Sequence, residues 1–483
     1  MSRSKLDLYQ NAMDHALSYE EWSEAATEYD HIVGHDAWKR EKECPLYDYR
    51  LIAARTRLLR RLRRENKVER LTFYLREELH GNLGNIANPA LYQVARFGTK
   101  KLITDYLDEV VSALEHLCDG RFKDLPKARK QVFFKRAAQS FGRSALVLSG
   151  GATLGLFHLG VIQELWLQGL LPRVMSGASV GSIIAGVVAC HTDDELSNIF
   201  DPAYLDLEWA RMLKVQRILK GHGVLDPAVL QRSIDRNMPK LTFEEAYART
   251  SRKLNISVSP SDPHQFPRLL NYLTAPHVFV RRAALASSAI PGLFPPVVLT
   301  ARNFGGRTVQ YMPQSTWIDG SVHNDVPKTH INRMHNVNHY IVSQANPHVV
   351  PFIGDDEGER GVVPFLKQLL ISGPIHQMTH ILEAARKNLD VPGLQSLIQH
   401  AHAISSQTYS GDVTIHPQSQ WKDFARTFTN PKPRLFQHLV LAGRRAVWPE
   451  IERIRNTTRI SRTFDQCRRR LSDAAERRGG ASR

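Results

Sequence analysis

Cysteine is scarce in this chain of 483 residues, and the four that occur, Cys44, Cys118, Cys190 and Cys467, are widely spaced. Such spacing fits neither a metal-binding pattern nor a disulfide framework, so we expect a reducing compartment. Residues 1–7 lack the apolar core of a signal peptide. No apolar run reaches the ~18 residues that a transmembrane helix needs. These absences predict a cytoplasmic protein that is soluble or peripherally bound to a surface.

Acidic residues are also in deficit, since 48 Asp and Glu against 64 Lys and Arg leave a net charge of +16. This charge favours anionic surfaces, either nucleic acid or phospholipid. No module that interleaves aromatic side chains with the basic charge is evident, so no nucleic-acid partner is expected. Residues 51–70 combine leucines with a dense set of arginines, as a basic amphipathic helix does. Such a helix either lies on a membrane or packs its leucines on a core and exposes its arginines.

The distribution of glycine and of apolar residues divides the chain into three regions. Residues 1–140 are predicted to be helical, because glycine is sparse before Gly81 and aromatics recur at helical spacing. Residues 144–345 alternate strand-like and helix-like runs, which predicts an α/β domain with a mainly parallel sheet. Residues 346–483 mix helices and loops, are mostly helical, and end in a basic tail.

A Gly-x-Ser-x-Gly sequence follows a short apolar run and precedes a helix-like run. This pattern places a serine on a sharp turn between a strand and a helix, where its hydroxyl is exposed to a base and a substrate. Gly177 and Gly181 leave room for that turn. We therefore predict that Ser179 is a nucleophile, with its developing charge favoured by the helix N-terminus.

A second glycine-bearing turn follows the apolar run that ends at Leu148. Gly150 and Gly151 free backbone N–H groups to stabilise a tetrahedral oxyanion, although a turn of this kind can also hold phosphate or be only a tight turn. The turn is neither a P-loop nor a dinucleotide-binding fingerprint. Far downstream, Asp319 ends another short apolar run. This pattern predicts either a catalytic partner of Ser179 or an ordinary Asp-Gly turn.

Together these motifs resemble the patatin-like phospholipases. The version from Ser149 to Gly160 is nearest to the triacylglycerol-lipase branch, which contains the eukaryotic lipid-droplet lipases and many bacterial relatives. Further stretches of likeness are residues 82–89, 286–296, 317–321 and 342–348. The resemblance implies a patatin-like three-layer α/β domain at 144–345, a helical N-terminal region at 1–140 and a C-terminal extension at 346–483.

The resemblance also implies an activity. The expected enzyme is a serine lipid acyl hydrolase that cleaves ester bonds of triacylglycerol, phospholipids or both. By resemblance Ser179 attacks the ester carbonyl, Asp319 is its general base, and the N–H groups of Gly150, Gly151 and Ala152 bind the oxyanion. Water then releases the fatty acid from an acyl-enzyme. No cofactor and no metal are expected, and the lipid substrate implies peripheral contact with a membrane or a lipid droplet.

Departures from the family pattern keep two alternatives open. Plant patatins carry an aspartate, a third glycine and a basic residue where this chain has Ser149, Ala152 and Leu154. His323 lies where relatives often carry an acidic residue, so a Ser-His-Asp esterase of a soluble ester is one alternative. The other is a catalytically silent scaffold that binds membranes. His158 is expected to pack near the site rather than to react.

Overall fold

A computed structural model describes residues 2–201, 203–214, 224–262, 265–321, 325–346, 410–417 and 429–479. Its helices, numbered in chain order, are Ser2–His15 (α1), Tyr19–Val33 (α2), His35–Arg40 (α3), Tyr49–Arg64 (α4), Val68–Glu77 (α5), Lys101–Asp119 (α6), Lys127–Phe141 (α7), Phe157–Leu167 (α8), Val180–Cys190 (α9), Leu196–Ile199 (α10), Pro227–Asn237 (α11), Phe243–Thr250 (α12), Val280–Ser287 (α13), Lys328–His335 (α14), Pro433–Val447 (α15) and Ile451–Gly479 (α16). Among these helices, none combines the length and the apolar character required to cross a membrane.

The strands are Arg143–Leu148 (β1), Val174–Gly177 (β2), Lys253–Pro260 (β3), Arg268–Leu270 (β4), Leu299–Arg302 (β5), Thr308–Tyr311 (β6), Trp317–Asp319 (β7), Val337–Ser343 (β8) and Val413–Ile415 (β9). Contacts divide the chain into two compact units. The first contains Met1–Ser144, Asn336–His339 and Val447–Arg483, and the second contains Ala145–His335 and Tyr340–Ala446.

The first unit is a helical body built around one apolar core. In α4, Ile52, Leu59 and Leu62 are buried in that core, which also takes Phe134 from α7 and Phe464 from α16. The leucines of the basic amphipathic stretch therefore pack inward. The helix ends earlier than the 51–70 stretch suggests, because Asn66 adopts a positive φ of 55° and the chain restarts in α5. The helical N-terminal region predicted from the sequence is confirmed.

The outward face of α4 carries its arginines. Arg60 and Arg63 donate to the carboxylate of Glu109 on α6, with Nε–O distances of 3.1 and 2.7 Å. Arg57 and Arg61 are exposed. This arrangement satisfies one buried carboxylate with two cations and leaves further basic side chains in solvent.

The second unit contains a mainly parallel sheet, as predicted. Among the described strands, the order is β4-β3-β2-β1-β8-β9, and β7 also pairs with β3. The pairs β1–β2, β2–β3 and β8–β9 are parallel, whereas β3 pairs antiparallel with β4 and β7. Leu148 pairs with Gly177 at the carboxyl ends of β1 and β2. The two glycine-bearing turns therefore leave the sheet side by side.

Part of the C-terminal region completes this second unit. Strand β9 pairs with β8, and α15 packs against α8 through two glycines. A methyl group on Gly160 would approach the Val440 carbonyl oxygen to 1.8 Å, and one on Gly443 would approach that of Phe157 to 2.1 Å. Residues 447–483 instead belong to the first unit. The predicted division at 140 and 345 stays a prediction, and the contacts distribute the last region between both units.

Candidate active site

Ser179 stands on a strained turn between β2 and α9. Its backbone has φ 52° and ψ −130°, a combination that is costly for a residue with a side chain and typical of functional sites. Gly-x-Ser-x-Gly turns adopt such strain because it lifts the serine clear of the sheet. The serine is buried to 5% exposure at the start of α9, whose free N–H groups favour negative charge.

Steric contacts explain both glycines of this turn. A methyl group on Gly177 would lie 2.3 Å from the carbonyl oxygen of Gly181. One on Gly181 would lie 2.4 Å from the carbonyl oxygen of Leu148, at the end of β1. A larger residue at position 177 would therefore distort this turn, and one at position 181 would push it away from the end of β1. Ser287, the last residue of α13, adds a contact that the sequence did not reveal, because its Oγ accepts the Ser179 N–H at 3.1 Å.

Asp319 ends β7 and is 1% exposed. Its Oδ1 accepts two hydrogen bonds from Ser321, 2.8 Å from the backbone N–H and 2.7 Å from the hydroxyl. Burial raises the pKa of this carboxyl to about 6, although the hydroxyl of Ser179 and the contacts with Ser321 pull it down. A carboxyl with this pKa is mostly ionised at neutral pH and still basic enough to accept a proton.

The structure brings the side chains of Ser179 and Asp319 together. The serine hydroxyl is close enough to influence the carboxyl pKa. Within the described residues, however, Asp319 Oδ2 has no hydrogen-bond partner of ordinary length. We read the contact with Ser179 as a loose one, because catalytic hydrogen bonds often tighten only around the substrate. No other hydrogen bond within the described residues competes for this oxygen.

The other glycine turn lies directly over the serine. A methyl group on Gly150 would sit 3.4 Å from Ser179 Cβ. The Gly150 N–H, expected to bind an oxyanion, instead donates to Asp325 Oδ1 at 3.1 Å. Asp325 is fully buried, and burial together with the charge of Asp319 raises its pKa to about 7. Asp325 is not predicted from the sequence, where its only signal is that it lies six residues after Asp319.

His158, one of the two histidines considered from the sequence, does not contact the side chain of Ser179. His158 is fully buried, and burial lowers its pKa to about 4. Its ring nitrogens contact Ser343 and the backbone of Ser149. His323 lies outside the described residues. Among the histidines that the structure describes, none bonds to the side chain of Ser179 or Asp319.

A pocket opens beside Ser179, with about 850 Å³ of empty space that includes open solvent. Its wall is mainly aliphatic and aromatic, with Leu156, Ile183, Val187, Leu230, Ile234 and Phe294 among the lining residues. Such a wall suits a hydrocarbon chain and offers few groups to a polar ligand.

The C-terminal region also reaches this pocket. Pro431 lines it, and the Thr153 hydroxyl donates to the Thr429 carbonyl oxygen at 2.7 Å. Asn430 accepts the backbone N–H groups of Trp209 and Ala210. The pocket wall therefore depends on residues far outside the motif-bearing region. In the described part of the chain, no group of three or more His, Cys, Asp and Glu side chains could hold a metal ion.

Comparison with protein families matches two parts of the chain. Residues 1–139 match a domain of unknown function, DUF3336, and residues 146–329 match the patatin-like phospholipase family. The second match contains Ser179, Asp319 and the first glycine turn.

Comparison with single proteins extends over nearly the whole chain. Triacylglycerol lipase SDP1L of Arabidopsis thaliana is 34% identical over 97% of this chain and 60% of its own length. Triacylglycerol lipase 4 of Saccharomyces cerevisiae is 35% identical over 92% of this chain and 51% of its own length. Triacylglycerol lipase ptl3 of Schizosaccharomyces pombe is 34% identical over 94% and 95%. The chain thus spans about half to three fifths of the first two relatives and almost all of the third.

Proposed function

Because the chain belongs to the patatin-like phospholipase family, we propose that it is a serine lipid acyl hydrolase with a catalytic dyad of Ser179 and Asp319. The observation that carries this proposal is the strained serine beside a buried carboxyl of raised pKa, at the wall of an apolar pocket. The lipase names of the relatives support an ester of fatty acids as the substrate.

In the proposed reaction, Asp319 Oδ2 takes the hydroxyl proton as Ser179 Oγ attacks the ester carbonyl carbon. The resulting oxyanion is stabilised by backbone N–H groups of the glycine turn that follows β1. Collapse of this intermediate breaks the ester C–O bond, and Asp319 returns the proton to the leaving alcohol. Water, deprotonated by Asp319, then attacks the acyl carbon. The bond between Ser179 Oγ and the acyl carbon breaks, Asp319 returns the proton to Ser179, and the fatty acid is released. The apolar pocket holds the acyl chain during both steps.

The test is fatty-acid release from triolein and from phosphatidylcholine. We expect Ser179→Ala and Asp319→Asn to lose at least about 100-fold in kcat while remaining folded, as measured by circular dichroism. Ser197→Ala and Asp194→Asn change exposed residues of the same unit and serve as matched controls. Full activity in Asp319→Asn would reject the dyad and show that another residue is the general base. If the unmodified protein hydrolyses neither ester, the proposed activity is wrong and the catalytically silent scaffold is the remaining alternative.

We further propose that the protein works in the cytoplasm, peripherally bound to a membrane or lipid droplet. An exposed hairpin of the second unit supports this. Phe304, at the tip between β5 and β6, is 100% exposed and is flanked by Arg302 and Arg307. Phe266 is 87% exposed in another loop of the same unit. Aromatic residues beside basic ones are typical of protein segments that insert into lipid headgroups.

Flotation with vesicles that contain phosphatidylserine tests this association. Phe304→Ser should lower the bound fraction, with a partition coefficient reduced by about tenfold for loss of one inserted ring. Phe73→Ser is the matched control, since Phe73 is 57% exposed on α5 of the first unit. Equal loss in both variants would mean that the hairpin has no special part in the binding.

A further inference from the structure

One peptide group of the turn above Ser179 is held at both ends by buried side chains. The Ser149 carbonyl oxygen lies 3.0 Å from His158 Nε2, and the Gly150 N–H donates to Asp325 Oδ1 at 3.1 Å. Because a carbonyl oxygen can only accept, His158 Nε2 carries the hydrogen and donates it. The plane of this peptide is therefore fixed by two hydrogen bonds that point in opposite directions.

Both side chains are themselves anchored to the chain that leaves β8. His158 Nδ1 accepts the hydroxyl of Ser343 at 2.7 Å. Asp325 Oδ2 accepts the side-chain amide of Asn346 at 3.0 Å. The hydroxyl of Ser149 adds a third connection, since it accepts the Ala345 N–H at 2.9 Å. The peptide between residues 149 and 150 is thus tied to one rigid strand end.

The next peptide group follows from this anchoring. The Gly150 carbonyl oxygen accepts the Ser149 hydroxyl at 2.8 Å. In a trans peptide the N–H points opposite to the carbonyl, so the Gly151 N–H is turned away from Ser149. Gly151 has φ 151°, and a methyl group there would lie 2.9 Å from the Ala345 carbonyl oxygen. Ala152 follows with φ 47°, another strained conformation.

This geometry separates the three N–H groups expected to bind an oxyanion. That of Gly150 is occupied by Asp325. Among the described residues, the N–H groups of Gly151 and Ala152 have no protein acceptor. Two adjacent N–H groups beside a nucleophile form the kind of donor pair that stabilises a tetrahedral intermediate.

We propose that Asp325 and His158 are positioning residues that hold the Ser149–Gly150 peptide, so that the N–H groups of Gly151 and Ala152 face the substrate oxyanion. The inference rests on the proposed ester hydrolysis and adds residues that the dyad does not include. Asp325 and His158 touch the turn rather than the reacting atoms. Their loss should therefore weaken binding of the transition state more than binding of the substrate.

Substitutions at Asp325 test the inference. Asp325→Leu removes the acceptor for the Gly150 N–H, whereas Asp325→Asn keeps a carbonyl oxygen at that place. We expect the leucine variant to lose about 100-fold in kcat with KM changed less than about threefold, as when a donor of an oxyanion hole is removed. Its affinity for a trifluoromethyl ketone, which forms a tetrahedral oxyanion on serine, should fall by a similar factor. The asparagine variant should retain most of the kcat and most of the affinity for the ketone.

A matched control separates positioning from general loss of stability. Glu164 is also buried in the second unit, where it pairs with Arg444 at 3.0 Å on the α8–α15 contact. Glu164→Gln should lower the melting temperature and leave kcat and ketone affinity of the folded protein unchanged. Hydrogen–deuterium exchange of residues 149–156 gives a readout without turnover, since Asp325→Leu should speed exchange of the Gly150 amide.

The possible results are distinguishable. Hydrolysis by the unmodified protein together with unchanged kcat in folded Asp325→Leu would overturn this inference and leave the dyad. An equal loss in the asparagine and leucine variants, with KM raised instead of kcat lowered, would also overturn it. A protein inert towards every ester would overturn the proposed function and this role of Asp325 together. Slow kcat, weak ketone binding and rescue by asparagine support it.

Discussion

Two buried carboxylates of the first unit and two buried carboxylates at the candidate site of the second unit have opposite pKa shifts. In the first unit, burial opposes the charge of Glu109, but Arg63 and Arg60 outweigh it and the pKa is lowered. Asp30 is likewise fully buried with a lowered pKa, because His35, Lys39 and two backbone N–H groups overcome the cost of burial. In the second unit, burial raises the pKa of Asp319 to about 6 and that of Asp325 to about 7.

The difference lies in the groups that reach each carboxylate. The helical unit supplies cations, which hold the charge firmly and make it part of the structure. At the candidate site, serine hydroxyls, backbone N–H groups and an asparagine amide contact Asp319 and Asp325. Neutral donors compensate burial incompletely, so the proton affinity stays near neutral pH. A raised pKa beside a strained serine thus distinguishes these two carboxyls from those that ion pairs hold in the helical unit.

Substitution of Asp319 should give the largest effect and the sharpest contrast. Asp319→Asn should lower kcat about 10²–10⁴-fold, because the base is lost. The same variant should be more stable, since the native pKa lies above the unfolded value of 3.8 and ionised Asp319 opposes folding at neutral pH. A shift from 3.8 to about 6 corresponds to about 3 kcal/mol in the free energy of unfolding at pH 7.

The gain in stability should depend on pH. It is fully present above the native pKa near 6, shrinks as the pH falls towards 3.8, and is lost below 3.8, where Asp319 is protonated in both states. Urea unfolding of both proteins at pH 7.5 and pH 4 measures this difference. An inactive variant that is less stable than the parent at pH 7.5 would contradict the view that Asp319 is an uncompensated charge.

Glu109 should respond in the opposite sense. Glu109→Gln removes the anion that two arginines contact, and we expect a loss of about 1–3 kcal/mol in the free energy of unfolding. Because the native pKa is lowered, the contribution of this glutamate is present at neutral pH and lost as the pH falls through the native pKa. Activity per folded molecule should be unchanged. A gain in stability would abolish the contrast with Asp319.

The pH dependence of hydrolysis gives a smaller effect. As the pH falls below the pKa of about 6, Asp319 gains a proton and kcat/KM should drop by up to about tenfold per pH unit. Asp325 interacts with Asp319, so the pH profile of the rate reports two apparent pKa values that belong to the pair of carboxyls. A rate that is flat between pH 5 and pH 8 on a soluble p-nitrophenyl ester would show that neither carboxyl titrates during the reaction.

An arginine without a carboxylate partner should give the smallest effect. Arg57 is exposed on α4 and forms no ion pair among the described residues, whereas Arg63 binds Glu109. Arg57→Gln should change the free energy of unfolding by less than about 0.5 kcal/mol. Arg63→Gln should cost more, because Glu109 then loses one of its cations. Equal effects of the two substitutions would show that the pairing contributes little.

Local sequence was informative where a function depends on backbone shape. Gly177 and Gly181 could be identified because only glycine tolerates those contacts, and the pattern around Ser179 is contiguous. The hydrogen bond between Gly150 and Asp325 could not be predicted, because the two residues are far apart in sequence and only the folded sheet brings them together. Ser287 and Pro431 were missed for the same reason. Apolar periodicity identified the helical region, but the interruption at Asn66 depends on one backbone conformation.

The close contact between the glycines of α8 and α15 limits where this chain can be truncated. A fragment limited to the family match at residues 146–329 would lack β8, β9 and α15. It would expose the glycine face of α8 and leave the carboxylate of Glu164 without Arg444. Strand β1 would become a bare edge, open to pairing with other chains. The smallest piece worth purifying therefore reaches past residue 446, well beyond the last recognisable motif.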